Sequence, residues 1–210
     1  MVDSVGKWAK GEHYGPVLSQ TDLYLLGVPL EIHPILANAD PSFHLCFDLT
    51  NGQTVGWDSS DRNREIPFTQ RDQPATMPRV QQLIVITRSS PWCTVIMNDN
   101  GVTLGDVCIK LWQEYSQNSI TDAEFNSLPG RMQEAVRRTA QHHAQQLASN
   151  QWGGGYYPAA APPTSSFKRY DWLRDRVMFD RLIKGPEDER YIKDRLGFVA
   201  PNIFVMELMT

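Results

Sequence analysis

From Ser42 to Thr50 apolar and polar residues alternate. Phe43, Leu45, Phe47 and Leu49 fall on one face, and His44, Cys46 and Asp48 on the other. A period of two predicts a strand, and Asn51-Gly52 after it is a turn signal. The β-branched runs Val80–Arg88 and Trp92–Met97, joined by Ser89-Ser90-Pro91, predict a hairpin closed by Asn98-Asp99-Asn100-Gly101. The period then changes. Leu104, Val107, Cys108, Leu111, Trp112 and Tyr115 recur at three- and four-residue steps, which predicts an amphipathic helix. Thr103 and Asp106 form a capping box at its start, and Val102 and Val107 occupy the hydrophobic-staple positions.

A second capping box, Thr121 to Glu124, opens a short turn. Pro129 starts a longer helix to about Ser149, with Met132, Ala135, Val136, Thr139, Ala140, His143 and Leu147 on one face. Residues 150–166, with three consecutive glycines and three prolines, cannot continue it and read as a flexible loop. Beyond them Trp172, Leu173, Phe179, Leu182 and Ile183 space as a helical stripe that Gly185-Pro186 ends; Pro186 and the acids 187–189 open a short helix, and Ile203–Leu208 reads as a closing strand. Residues 1–22 read as a loosely packed arm. Residues 23–36, interrupted by Gly27, Pro29 and Pro34, read as extended pieces, and 53–77 as a surface loop. The expected organisation is an arm at 1–22 and a single α+β domain at 23–210. That domain has a β-hairpin and amphipathic helix in a mostly antiparallel sheet of β-grasp-like order, with a helical insertion before the last strand. Such an order implies no function.

Composition adds limits. With 41% hydrophobic and 21% charged residues in a chain of 210, a full core can be buried without disulfides or structural metal. The formal charge is −4, so bulk attraction to nucleic acid or to an anionic membrane is not expected. Cys46, Cys93 and Cys108 match no zinc or redox spacing and are expected to be buried, reduced thiols. No apolar run marks the first residues as a secretory signal or any stretch as a membrane span, so a cytoplasmic protein is expected.

The fragments HPIL (33–36), FDL (47–49), PW (91–92), VTLGDV (102–107), YDWL (170–173) and FDRL (179–182) carry a resemblance. In this order, across about residues 30–208, the chain resembles an uncharacterised domain family expanded in basidiomycete fungi. The resemblance implies a fungal intracellular protein. That family has no assigned activity, so there are no catalytic residues to carry over.

Gly153-Gly154-Gly155 lacks the helix and lysine that a phosphate cradle needs and reads as plain loop. His142 and His143 point about 100° apart on a helix and do not share a metal ion; no metal and no cofactor is expected. His33 near the His44/Asp48 face, with Cys46 between, could be a base oriented by an acid, although an ordinary mixed strand face explains the same residues. Arg137, Arg138, Arg169, Arg174, Arg176 and Arg181, interleaved with Phe167, Tyr170 and Trp172, have the composition of a single-strand RNA surface. Seven acids among the nine bases of 168–195 make it read instead as a salt-bridged face. The acids Asp58/Asp61 and 187–189 show no catalytic spacing.

The sequence therefore favours a noncatalytic binding protein with a protein or peptide partner, or a second copy of itself. The candidate binding residues are Arg138, Trp152, Tyr156, Tyr157 and Arg169, with Trp57 another loop aromatic. The alternatives are an enzyme whose site gathers His33, Asp48, Arg138 and His143 from distant segments, and an RNA-binding protein acting through 167–181.

Overall fold

A computed structural model describes residues 7–8, 15–58, 64–151 and 167–210. Its first element is α1 (Gln20–Leu26), capped by Ser19, whose Oγ accepts from the Asp22 N–H while Asp22 Oδ2 accepts from the Ser19 N–H at 2.8 Å. Gly27 ends it in the left-handed conformation. The helix thus begins inside the segment read as an arm and takes the first residues of the one read as extended. Leu18, just before it, bridges Val80 and is buried. The prolines lie beyond the helix, where β1 (Glu31–Ile32) follows.

The predicted strand is β2 (His44–Asp48), with the four apolar residues of its expected face buried. The stretch expected to be a surface loop contains β3 (Thr54–Trp57), β4 (Glu65–Pro67) and β5 (Thr76–Met77), and β5 pairs with β1 in a small separate sheet. β3 carries no alternation because Gly56 faces the core, where the Phe43 ring fills the space of a side chain. β4 tolerates Pro67 because it is an edge strand.

The hairpin is present as β6 (Gln82–Thr87) and β7 (Cys93–Met97), followed by α2 (Leu104–Ser116), α3 (Asp122–Asn126) and α4 (Gly130–Gln151). The capping boxes at Thr103 and Thr121 form as expected. After α5 (Arg169–Leu173) the chain departs from expectation: Met178–Ile183 is not helical but a strand, β8. Register slips between Phe179 and Arg181, a bulge that lets Phe179 and Leu182 both face the core with two residues between them. A bulged strand has imitated helical spacing. The region before the last strand is thus not a purely helical insertion. The final elements are α6 (Pro186–Leu196) and β9 (Ile203–Met209).

The fold is α+β, with a seven-stranded, mostly antiparallel sheet in the order β4-β3-β2-β8-β9-β6-β7. β9 lies parallel to β6 and antiparallel to β8. Alternation along β6 and β9 splits the core between two faces. Leu83, Val85, Phe204 and Met206 join α2, Trp92 and Trp172 on one, while Ile86, Ile203 and Val205 meet Ile192 of α6 on the other. Among the described residues no helix is long and apolar enough to cross a membrane.

Candidate functional site

The described surface holds one concentration of exposed apolar side chains beside a concavity. Only Leu23 of α1 is buried; Tyr24, Leu25 and Leu26 are 85%, 73% and 60% exposed. Gly27 then turns the chain into Val28-Pro29-Leu30, one wall of a cleft of about 410 Å³. The opposite wall is the connection from α6 to β9, Val199-Ala200-Pro201, led in by Phe198, which is 53% exposed. Ile32 and Phe204 also line it. Asn202, fully buried, ties the two sides together: its Nδ2 donates to Gln20 Oε1 at 2.8 Å and to the Gln82 carbonyl at 3.0 Å.

Two charged side chains sit on this apolar lining. Lys184 Nζ donates to the carbonyls of Ala200 (2.6 Å) and Pro201 (2.8 Å) and lies 5.6 Å from the centre of the Phe204 ring. Burial pushes its pKa below the ordinary lysine value, with Glu189 opposing the shift. Glu189 lines the same cleft. A donor and an acceptor in one otherwise apolar cleft match the polar edge of a peptide backbone.

Sequence reasoning missed this cleft. Leu23 to Leu26, four successive apolar residues, fall in the segment read as extended pieces. The usable signal was Ser19-x-x-Asp22 with Gly27. These fix a helix of seven residues, on which four consecutive positions cannot all face inward.

The expected site residues are dispersed. His33 is 3% exposed and has both ring nitrogens engaged: Nδ1 accepts from the Ile35 N–H at 3.1 Å, so Nε2 carries the proton and donates to Gln73 Oε1 at 2.9 Å. Trp8 packs on its ring at 4.5 Å. Asp48 holds the turn after β2, with Oδ1 accepting from the Thr50 N–H and hydroxyl and Oδ2 from Asn51. His44, beside it on that face, bonds to Asn38, which in turn donates to Asp180. His143 Nδ1 bonds to Asp171 Oδ1 at 2.6 Å, an acid 3% exposed whose other oxygen accepts from the Lys168 N–H. This histidine is oriented by an acid as a general base would be, and it stands against Tyr170 at 5.0 Å. No hydrogen bond or ion pair among the described residues joins any two of His33, Asp48, Arg138 and His143.

Arg138 is exposed on α4. Arg169 is instead largely enclosed: it pairs with Glu114 and its guanidinium lies 4.6 Å from the centre of the Trp92 ring. Phe167 and Trp172 are buried, which removes two of the three rings a nucleic-acid surface there would use. Trp57 is half-buried in β3 rather than in a loop. Trp152, Tyr156 and Tyr157 lie outside the described residues, as do Gly153–Gly155 and Asp61. The thiols also differ from expectation. Cys108 is buried and its pKa is pushed up to about 12 by that burial, whereas Cys46 is half-buried and Cys93 exposed. Alternation along β2 and β7 places those two on the outward side. No group of three or more His, Cys, Asp or Glu side chains among the described residues could hold a metal ion.

His33 makes stability depend on pH. Burial lowers its pKa from the ordinary 6.5, so below that pH the unfolded chain binds the proton first and the native state loses ground. Each pH unit below 6.5 should remove at most about 1.4 kcal/mol, until the folded-state pKa is passed. His33→Gln is expected to be less stable near neutrality, and its deficit relative to wild type should shrink on acidification. Urea midpoints at about pH 7.5 and about pH 5.5 test this; parallel losses in both proteins would refute it.

No curated protein and no solved structure matches the chain. One family model does, over residues 45–191, which is more than half its length and takes in β2 to the middle of α6. The chain therefore belongs to the family of unknown function DUF6699.

Proposed function

We propose that this protein is a noncatalytic interaction module that binds an extended peptide segment of a partner protein in the cleft between residues 27–30 and the α6–β9 connection. The observation that carries it is a cleft walled by Val28-Pro29-Leu30 and Val199-Ala200-Pro201, with the exposed apolar residues Leu25, Leu26 and Phe198 adjoining those walls in the chain. Scattered surface apolar residues need no explanation, but an open cleft lined mostly by apolar side chains does. The one Lys184 N–H left beyond its two carbonyl bonds and the Glu189 carboxylate offer a backbone amide a donor and an acceptor, and the apolar lining offers bulky side chains a seat. The fungal, cytosolic setting implied by the family resemblance is part of the same proposal, and three unpaired thiols suit a reducing compartment.

Selection from a displayed library of random peptides is the test. Peptides with paired bulky apolar residues should be enriched on the wild-type protein. Leu26→Asp and Phe198→Asp, both at exposed positions, should each weaken their binding by about tenfold or more. Failure to enrich any peptide, or binding that both variants leave intact, would overturn the assignment.

A further inference from the structure

The two ends of the seven-stranded sheet are built differently. β4 at one end has three residues, and it exposes a glutamate and a proline, both of which discourage another strand from pairing. β7 at the other end has five residues, Cys93-Thr94-Val95-Ile96-Met97, with no charge, no proline and no recorded bulge.

The hydrogen-bond phase shows what that edge presents. Asn98 N–H donates to the Gln81 carbonyl at 2.9 Å, one step beyond the Gln82–Met97 pair, and Ile84 N–H donates away from β7 to the Asn202 carbonyl at 2.9 Å. Bonded pairs alternate in an antiparallel ladder, so Ile96 with Leu83 and Thr94 with Val85 are the next ones inward. The N–H and C=O groups of Cys93, Val95 and Met97 therefore point away from β6, and no described strand takes them. The same three side chains are exposed, Val95 at 37% and Met97 at 68%, while Thr94 and Ile96 are buried.

We infer that β7 is a dimerisation edge, pairing antiparallel with β7 of a second copy about a two-fold axis through Val95. This is the self-association form of the interaction reading above, on a different surface from the peptide cleft. The strand is its own complement. Val95 faces its symmetry mate and Cys93 faces Met97 of the other copy, so each outward N–H meets an outward C=O, giving about six ladder bonds. The outward side chains then form one apolar strip across both copies, and the two sheets become one. A second copy fits better than a charged partner strand, because β7 offers no charge for such a strand to read.

Sedimentation velocity of the full chain tests this, up to ~100 µM protomer. Wild type should run as a dimer. Val95→Lys, at an exposed position, and Val95→Pro, which deletes an outward N–H, should run as monomers. In a Cys93→Ser background Val95→Cys should form a disulfide-linked dimer on mild oxidation, since paired Cα atoms at such a site lie about 5.5 Å apart. Circular dichroism checks folding, and if the proline variant unfolds, the lysine variant still decides. A wild-type monomer at the top concentration, or a Val95→Lys protein that stays dimeric, overturns the inference. Peptide binding in the cleft should survive Val95→Lys, and dimerisation should survive Leu26→Asp, so either reading can fail without the other.

Discussion

Trp92→Ala is expected to destabilise the protein by about 4 kcal/mol, among the largest effects of any single truncation here. Trp92 immediately precedes β7 and is 8% exposed. Its ring meets Trp172 edge-on at 5.2 Å and Tyr115 at 6.1 Å, and the Arg169 guanidinium lies 4.6 Å from its centre. Its Nε1–H donates to Glu124 Oε1 at 2.6 Å, while Glu124 Oε2 accepts from the Thr121 N–H that the α3 cap must satisfy. One side chain thus joins the hairpin to α2, α3 and α5. Alanine would leave a cavity beneath Arg169 and remove the partner of its guanidinium face. Trp92→Phe keeps a ring and loses the Glu124 bond, so it should cost about 1–2 kcal/mol. Urea unfolding of both variants measures this. A Trp92→Ala protein within about 1 kcal/mol of wild type would show that the aromatic group is not a stability centre.

Gly56→Ala is expected to cost about 3 kcal/mol by overpacking. A Cβ there would stand 2.7 Å from Cδ2 of Phe43 and closer still to Cε2 and Cζ. The ring cannot easily retreat, because it is 4% exposed and stacks on Phe68 at 5.6 Å. Phe43→Leu should be destabilising alone but should partly rescue Gly56→Ala. The double-mutant cycle should give a coupling of about 1 kcal/mol or more. Additive losses would mean that the glycine is retained for another reason.

Legibility from sequence followed the range of the interaction. Where the signal was local, expectation and structure agree: the alternation at 43–49, the hairpin, the capping boxes at Thr103 and Thr121 and the helix start at Pro186 are all present. β8 was misread because a bulge puts Asp180 and Arg181 on the outside in succession, and Phe179 and Leu182 then match a helical step. β3 was missed because its inward residue is a glycine that makes sense only beside Phe43, thirteen positions earlier. The cleft depends on longer range still. Residues 27–30 meet residues 199–201 there, a juxtaposition that no local period encodes. Among the expected site residues, His33 and His143 are each held by a side chain distant in sequence. Their partners Gln73 and Asp171, 40 and 28 positions away, could not be named in advance.

The place of β9 bears on what the folding unit is. The family match ends at residue 191, inside α6, whereas β9 begins at Ile203 and stands between β8 and β6. A fragment cut to the matched residues would keep six of the seven strands and still lose the sheet, since β4-β3-β2-β8 and β6-β7 have no ladder to each other without β9. The two pieces would share only helices across one face, and each would carry an unpaired inner edge prone to association. On the ribosome the same gap lasts until residues 203–209 emerge, so the ladder between the hairpin and the other half-sheet is expected to close late.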